Sequence, residues 1–174
     1  MPRARALRAS RSRARPPPLT SVRVSFVDTY ALRGAGPSLE VLALRRGSRG
    51  RNPGSWETVH GTIEPGETPV QASLRELREE TGLVPEKFYN LSRTEAFYQH
   101  KSDELALIPV FAAFVAPGAS VKLSAEHDRA EWLNARDAAG RFAWPRERRA
   151  VDDILSIVGG GDAGLLEDVL RVSY

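Results

Sequence analysis

The sequence predicts an α/β (α+β) domain in which a mixed β-sheet is sandwiched between α-helices. Segments of period-two apolar alternation flank one capped amphipathic helical segment, and a second such helix follows the last strand signal, so that both faces of a sheet have a helix to cover them. Size agrees: 174 residues with 41% hydrophobic content suit one domain with a proper core and short extensions.

The first eighteen residues, MPRARALRASRSRARPPP, hold six arginines and no acid. Setting those six charges aside turns the net +3 of the chain into −3 for residues 19–174. So few apolar groups predict a basic disordered N-terminal extension over 1–18. Its alternatives are an organellar transit-like peptide and a nucleic-acid arm, and the lack of aromatic residues disfavours the second. Pro16 to Pro18 mark a stiff boundary, followed by the expected domain over 19–160 and a short C-terminal helix over 161–174. Cysteine is absent, which excludes disulfides, thiolate metal sites and thiol catalysis. The longest apolar run, Leu105 to Ala116, is interrupted by Pro109 and falls short of the ~20 residues that span a bilayer. No membrane partner is expected, and a cytoplasmic location is, with organelle targeting as the alternative if the tail is a transit peptide.

Each element follows from local pattern. Val22, Val24 and Phe26 alternate with polar residues, predicting one strand from Val22 to Leu32, and Leu39 to Leu44 predicts a second that ends in Arg45 and Arg46. The Gly-, Pro- and Arg-rich stretch from Arg46 to Trp56 reads as an exposed, mobile loop, before a short strand at Glu57 to Val59. Glu64-Pro65-Gly66-Glu67 is turn chemistry. Thr68, Pro69 and Gln71 supply an N-cap, a first-turn proline and a capping-box partner, so a helix starts at Pro69, and Gly82 stops it. Val70, Leu74 and Leu77 fall on its core face; Glu76, Glu79 and Glu80 fall on another. Leu91 to Tyr98 and Leu105 to Val115 read as strands joined by HKSDE, where His100 and Lys101 are exposed turn residues. Glu131 to Leu133 is a short strand, Ala135 to Ala139 a helical turn, and Pro145 to Val158 a helix with the stripe Val151, Ile154, Leu155, Val158. Asp162 is placed to cap a last short helix carrying Leu165, Leu166, Val169 and Leu170.

Like charges at helical spacing cost about 0.2–0.5 kcal/mol per pair, so three glutamates on one helix face need an offset. Pairing with Arg75 and Arg78 would supply it, and so would a hard divalent cation that takes carboxylate oxygens.

The wider segment decides between them. Gly61, five residues, Glu67, seven residues, then Arg75-Glu76-Leu77-Arg78-Glu79-Glu80-Thr81-Gly82-Leu83 resembles the box of the Nudix hydrolase family at every defined position, and the resemblance extends from Val22 to about Val158. It implies the Nudix fold, with Mg²⁺ (or Mn²⁺) on Glu76, Glu79, Glu80 and the backbone carbonyl of His60, while Arg75 and Glu67 orient the ligands and brace the loop. Outside the box, SWETVHGTIEPGET, SAEHDRAEWL and PRERRAVDDIL resemble the dATP/dihydroneopterin-triphosphate pyrophosphohydrolase branch. That likeness adds Glu126 as a further metal ligand or base, giving Glu79, Glu80 and Glu126 as the catalytic set. Arg46, Trp56, Tyr98 and Phe26 are candidate substrate contacts. The implied reaction is Mg²⁺-dependent cleavage of a nucleoside triphosphate, or of dihydroneopterin triphosphate, to monophosphate and pyrophosphate. Hydrolysis of ADP-ribose or dinucleoside polyphosphates is the alternative within the family, and a non-catalytic nucleotide-binding module is the alternative outside it. The expected partner is the small-molecule substrate; a homodimer is compatible with the family and nucleic acid is disfavoured.

Overall fold

The computed structural model describes residues 20–174; the basic extension expected over 1–18 lies outside the described residues. An eight-stranded mixed sheet forms the centre. Strands β1 (Ser21–Val24) and β2 (Phe26–Arg33) run parallel to β7 (Glu104–Phe114), and β6 (Lys87–Gln99) pairs antiparallel along the other edge of β7. The single strand expected from Val22 to Leu32 is therefore two. Val24 lies opposite Leu107 and Asp28 opposite Val110, so the first segment carries one residue more than its partner, and it is absorbed as a kink at Ser25. Strand β3 (Glu40–Arg46) joins β2 to β4 (Trp56–Glu57) and β8 (His127–Asn134), and β5 (Val59–Thr62) pairs with the first half of β2.

Strand alternation divides the core in two. Val27, Ala31, Leu42, Leu44, Phe111 and Ala113 face one side, beneath helix α1 (Pro69–Thr81). Tyr30, Leu32, Val41, Ala43, Val110 and Ala112 face the other, where α2 (Ala135–Arg141), α3 (Pro145–Ile157) and α4 (Glu167–Leu170) lie. Helices on both faces are what the sequence predicts.

Helix α1 has the predicted bounds for the predicted reasons. Thr68 Oγ1 accepts from the Gln71 N–H, Gln71 Oε1 accepts from the Thr68 N–H, and Gly82 closes the helix at φ 70° with its N–H on the Arg78 carbonyl. Leu77 is buried, with Val70 and Leu74 packed against the same cluster. The division into core and carboxylate faces needs one correction: Glu80 is only 5% exposed and sits inside.

Four other differences matter. Strand β6 starts at Lys87 and carries an irregularity between Asn90 and Thr94, where Ser92 takes φ 52°. Strand β8 runs from His127 because β3 offers partners along its whole length. The turn expected at Ala135 extends into α2, capped by Asn134. The last helix is split into a 3₁₀ turn (Gly164–Leu166) and four residues of α4; of its four apolar residues only Leu170 is buried. Ser48 to Gly54 are exposed, as expected of that loop. Among the described residues, no helix is long and apolar enough to cross a membrane.

Candidate active site

A cleft of about 630 Å³ opens across the short strand β5. Successive residues of a strand point to opposite faces, so His60 faces one end of the cleft and Gly61 the other. At the Gly61 end, α1 comes so close that a Cβ on residue 61 would lie 2.0 Å from Glu76 Cγ. The first box glycine is thus the space in which the Glu76 side chain lies, and the Thr62 N–H donates to Glu76 Oε1 at 3.2 Å.

Arg75 is the hub beneath these carboxylates. Its guanidinium grips Glu67 through two bonds of 2.8 and 2.9 Å, pairs with Glu76 at 2.9 Å and Glu79 at 3.1 Å, and donates to the Thr62 carbonyl at 2.9 Å. The bidentate grip of Arg75 holds the Glu67 carboxyl down to about 2, and Glu67 in turn accepts from the Glu64 N–H. Arg75 thus touches two glutamates of α1 and, through Glu67, the turn that precedes the helix. Glu79 points outward, its side chain 58% exposed and, among the described residues, paired with Arg75 alone.

Glu80 is different. Burial, then the nearby charges of Glu76, Glu126 and Glu57, push its carboxyl up to about 9 against the opposing pull of Arg46. Among the described residues its Oε2 is buried without a hydrogen-bond partner, and so is Nδ1 of His127, 4.0 Å away. Arg46 holds Glu57 at 2.7 Å and Glu126 at 3.2 Å, and both line the cleft together with Glu76 and Glu80. Among the described residues, no three acidic or histidine side chains already stand as a metal-ligating group. The donor chemistry nevertheless fits a hard divalent ion: carboxylate oxygens gathered in excess of positive charge, one of them buried and unpartnered.

At the other end, His60 stacks on Phe26 with ring centroids 5.3 Å apart and places Nδ1 2.6 Å from Asp28 Oδ1. Asp28 is wholly buried and also accepts from Arg146 Nε at 2.9 Å. Burial alone would raise its carboxyl, but the His60 and Arg146 partners outweigh that and hold it below its ordinary value. Trp144 and Phe97, edge to face at 6.3 Å, complete this end.

Of the sequence-predicted residues, Glu76, Glu80, Glu126, His60, Arg46 and Phe26 line the cleft, and Glu67, Arg75 and Glu79 support it from α1 and its loop. Trp56 and Tyr98 do not line it. Cross-strand partners share a face: Trp56 pairs with Arg45, on the face opposite Arg46 and Glu57, and is covered by the Arg141 guanidinium at 4.7 Å. Tyr98 is 52% exposed and donates to Asp103, whereas its neighbour Phe97, itself 45% exposed, lines the cleft. Glu57, Asp28, Trp144 and Arg146 went unread in the sequence. Only the parity of Glu57 with Arg46 across a hairpin could have signalled one of them.

The NUDIX domain family matches residues 24–154. Nucleoside triphosphatase NudI of Escherichia coli K12 is 30% identical over 96 residues, covering 51% of this chain and 68% of that one. Octanoyltransferase of Myxococcus xanthus is 37% identical over 137 residues, 78% of this chain. The chain spans only 36% of that protein's length, so the name of the whole does not transfer to the matched part. Among solved structures, an Ap4A hydrolase of C. elegans superposes with a TM-score of 0.64 at 20% identity, covering 78% of this chain and 97% of that one. The E. coli dihydroneopterin triphosphate pyrophosphohydrolase gives 0.59 at 23%, covering 75% and 94%. These two likenesses speak for the fold alone. With the family match over most of its length and the box residues assembled into loop, helix and loop beside one acidic cleft, the chain belongs to the Nudix hydrolase family.

Proposed function

We propose that the chain is a divalent-cation-dependent pyrophosphohydrolase that cleaves a nucleoside triphosphate, or dihydroneopterin triphosphate, with water to give the monophosphate and pyrophosphate. The observation that carries this is the cluster of Glu57, Glu76, Glu80 and Glu126 at one end of a cleft whose other end is aromatic. A polyphosphate needs a charged end and a planar ring an apolar one. The 30% identity to a nucleoside triphosphatase supports the same class.

Glu76, Glu79, Glu80, Glu126 and the His60 carbonyl would hold Mg²⁺ or Mn²⁺. Such an ion, when bound, neutralises phosphate charge and makes a coordinated water more acidic. The chain's own residues do the rest. Arg75 holds Glu76 and Glu79 by charge-assisted bonds, which spares them rotamer entropy when they bind. Arg46 balances Glu57 and Glu126 until phosphate arrives and is itself a donor for phosphate oxygen. Burial holds Glu80 protonated near neutrality, and it would serve as a carboxylate ligand once positive charge in the site favoured its ionised form.

The test is a panel of dNTPs, NTPs, dihydroneopterin triphosphate, ADP-ribose and diadenosine polyphosphates with Mg²⁺, with products separated by chromatography. Monophosphate and pyrophosphate from a triphosphate support the reading. Turnover confined to ADP-ribose or dinucleotides, or no turnover of any member, overturns it.

A further inference from the structure

The proposed reaction leaves unused the His60 imidazole and the buried Asp28–Arg146 pair behind it. Asp28 is 0% exposed and its carboxylate receives Nδ1 of His60 at 2.6 Å and Nε of Arg146 at 2.9 Å. A carboxylate without a proton only accepts, so Nδ1 carries the hydrogen of the neutral ring. Nε2, on the far side of the ring, is then an acceptor. It makes no hydrogen bond among the described residues, and His60 lines the cleft with a quarter of its side chain exposed. The ring cannot turn freely. Phe26 stacks on one face at 5.3 Å, and Arg146, which anchors Asp28, lies over Trp144 at 5.0 Å.

We propose that His60, oriented by Asp28 and Arg146, is a specificity-determining residue that accepts a hydrogen bond from the amino group of a planar heterocycle stacked between the aromatic side chains at this end of the cleft. The substrate class is thereby narrowed to amino-bearing rings such as adenine, cytosine or a 2-aminopterin, over their keto counterparts. This rests on the proposed nucleotide-cleaving function, but it concerns the ring and not the phosphates. Asp28 and Arg146 are positioning residues: they fix which nitrogen holds the hydrogen.

Binding without turnover separates the two readings. AMP and IMP are titrated into the full chain in EDTA, followed by NMR. The wild type should bind AMP at least about fivefold more tightly than IMP, the scale of one net hydrogen bond. His60→Phe keeps a ring on Phe26 but removes the acceptor, and its ratio should fall to about one. Asp28→Asn is the sharper variant. Its amide oxygen still accepts from Arg146 while its N–H faces Nδ1, which moves the ring hydrogen to Nε2, so that the preference should invert toward IMP. Equal affinities in the wild type, or an AMP preference unchanged in either variant, overturn the assignment. A merely structural role for Asp28 would weaken both ligands alike and would not invert their order. If the triphosphate panel shows no hydrolysis while AMP and IMP still separate as stated, the function fails and the specificity assignment stands.

Discussion

At the scale of single residues, the site depends on an absent side chain and on a buried acid. Because a Cβ at position 61 would overlap Glu76 Cγ, Cδ and Oε1, Gly61→Ala must push the carboxylate away. Those atoms belong to a flexible side chain, so the fold should survive at a cost of about 1–3 kcal/mol. Mg²⁺-dependent turnover should fall by at least about two orders of magnitude. Full turnover with a normal circular dichroism spectrum would show that Glu76 does not need this space. Glu80→Gln replaces a carboxyl that is already neutral near pH 7 with an isosteric neutral amide. Metal-free melting temperature should therefore hardly change, whereas the rise in melting temperature with added Mg²⁺ should shrink, since a ligand stabilises only the state it binds. A mutant that loses stability without metal and keeps its activity would mean that the glutamate serves only to pair with arginine.

At the scale of elements, the sequence spoke clearly where a local signal forces geometry and faintly where parity across strands decides. Thr68, Pro69, Gln71 and Gly82 announce both ends of α1, and the structure keeps them. Aromatic residues near a site suggest stacking, which makes Trp56 and Tyr98 candidates in the sequence, yet a shift of one residue along a strand reverses the face. Phe97 and Trp144 hold that position instead. Asp28 was illegible for another reason: a charge in the middle of an apolar strand gains its meaning only from Arg146, 118 residues away. Helix α3 offers a pH test of how such buried acids are held. Glu147 accepts from the Trp144 and Thr58 N–H groups, and burial, outweighing those bonds, pushes its carboxyl up to about 8. A folded value above the unfolded one gives stability that is complete below the unfolded value of 4.5 and is lost as pH rises through about 8. Glu147→Gln cannot ionise, so its melting temperature should fall less than that of the wild type between about pH 5 and 8. Parallel curves would place the charge change elsewhere.

For the whole molecule, the question is how far the domain extends. The expected boundary at 160 sets residues 161–174 apart as a short C-terminal helix and the family match ends at 154; in the structure these residues pack back onto the sheet. Arg171 bridges to Tyr89 in strand pairing, its guanidinium bonds the Tyr89 hydroxyl at 3.1 Å and Glu167 at 3.1 Å, and the Val172 N–H donates to the Phe88 carbonyl. Tyr174 meets Phe88 edge to face at 5.9 Å and donates to the Pro85 carbonyl at 2.6 Å. These contacts cover the start of β6, whose Phe88 and Tyr89 belong to the two cores on opposite faces of the sheet. Ending the chain at Leu170 would uncover both rings at once. Loss of apolar burial at about 25 cal/mol per Å², together with several hydrogen bonds of roughly 1 kcal/mol each, predicts a destabilisation of a few kcal/mol and a melting temperature lower by roughly ten degrees or more. The cleft lies away from this corner, so Mg²⁺-dependent turnover at low temperature should persist in the shortened chain. A truncated protein that melts with the full-length one would return the C-terminal residues to the status of an appendage, and one that stays folded but loses turnover would tie them to the site.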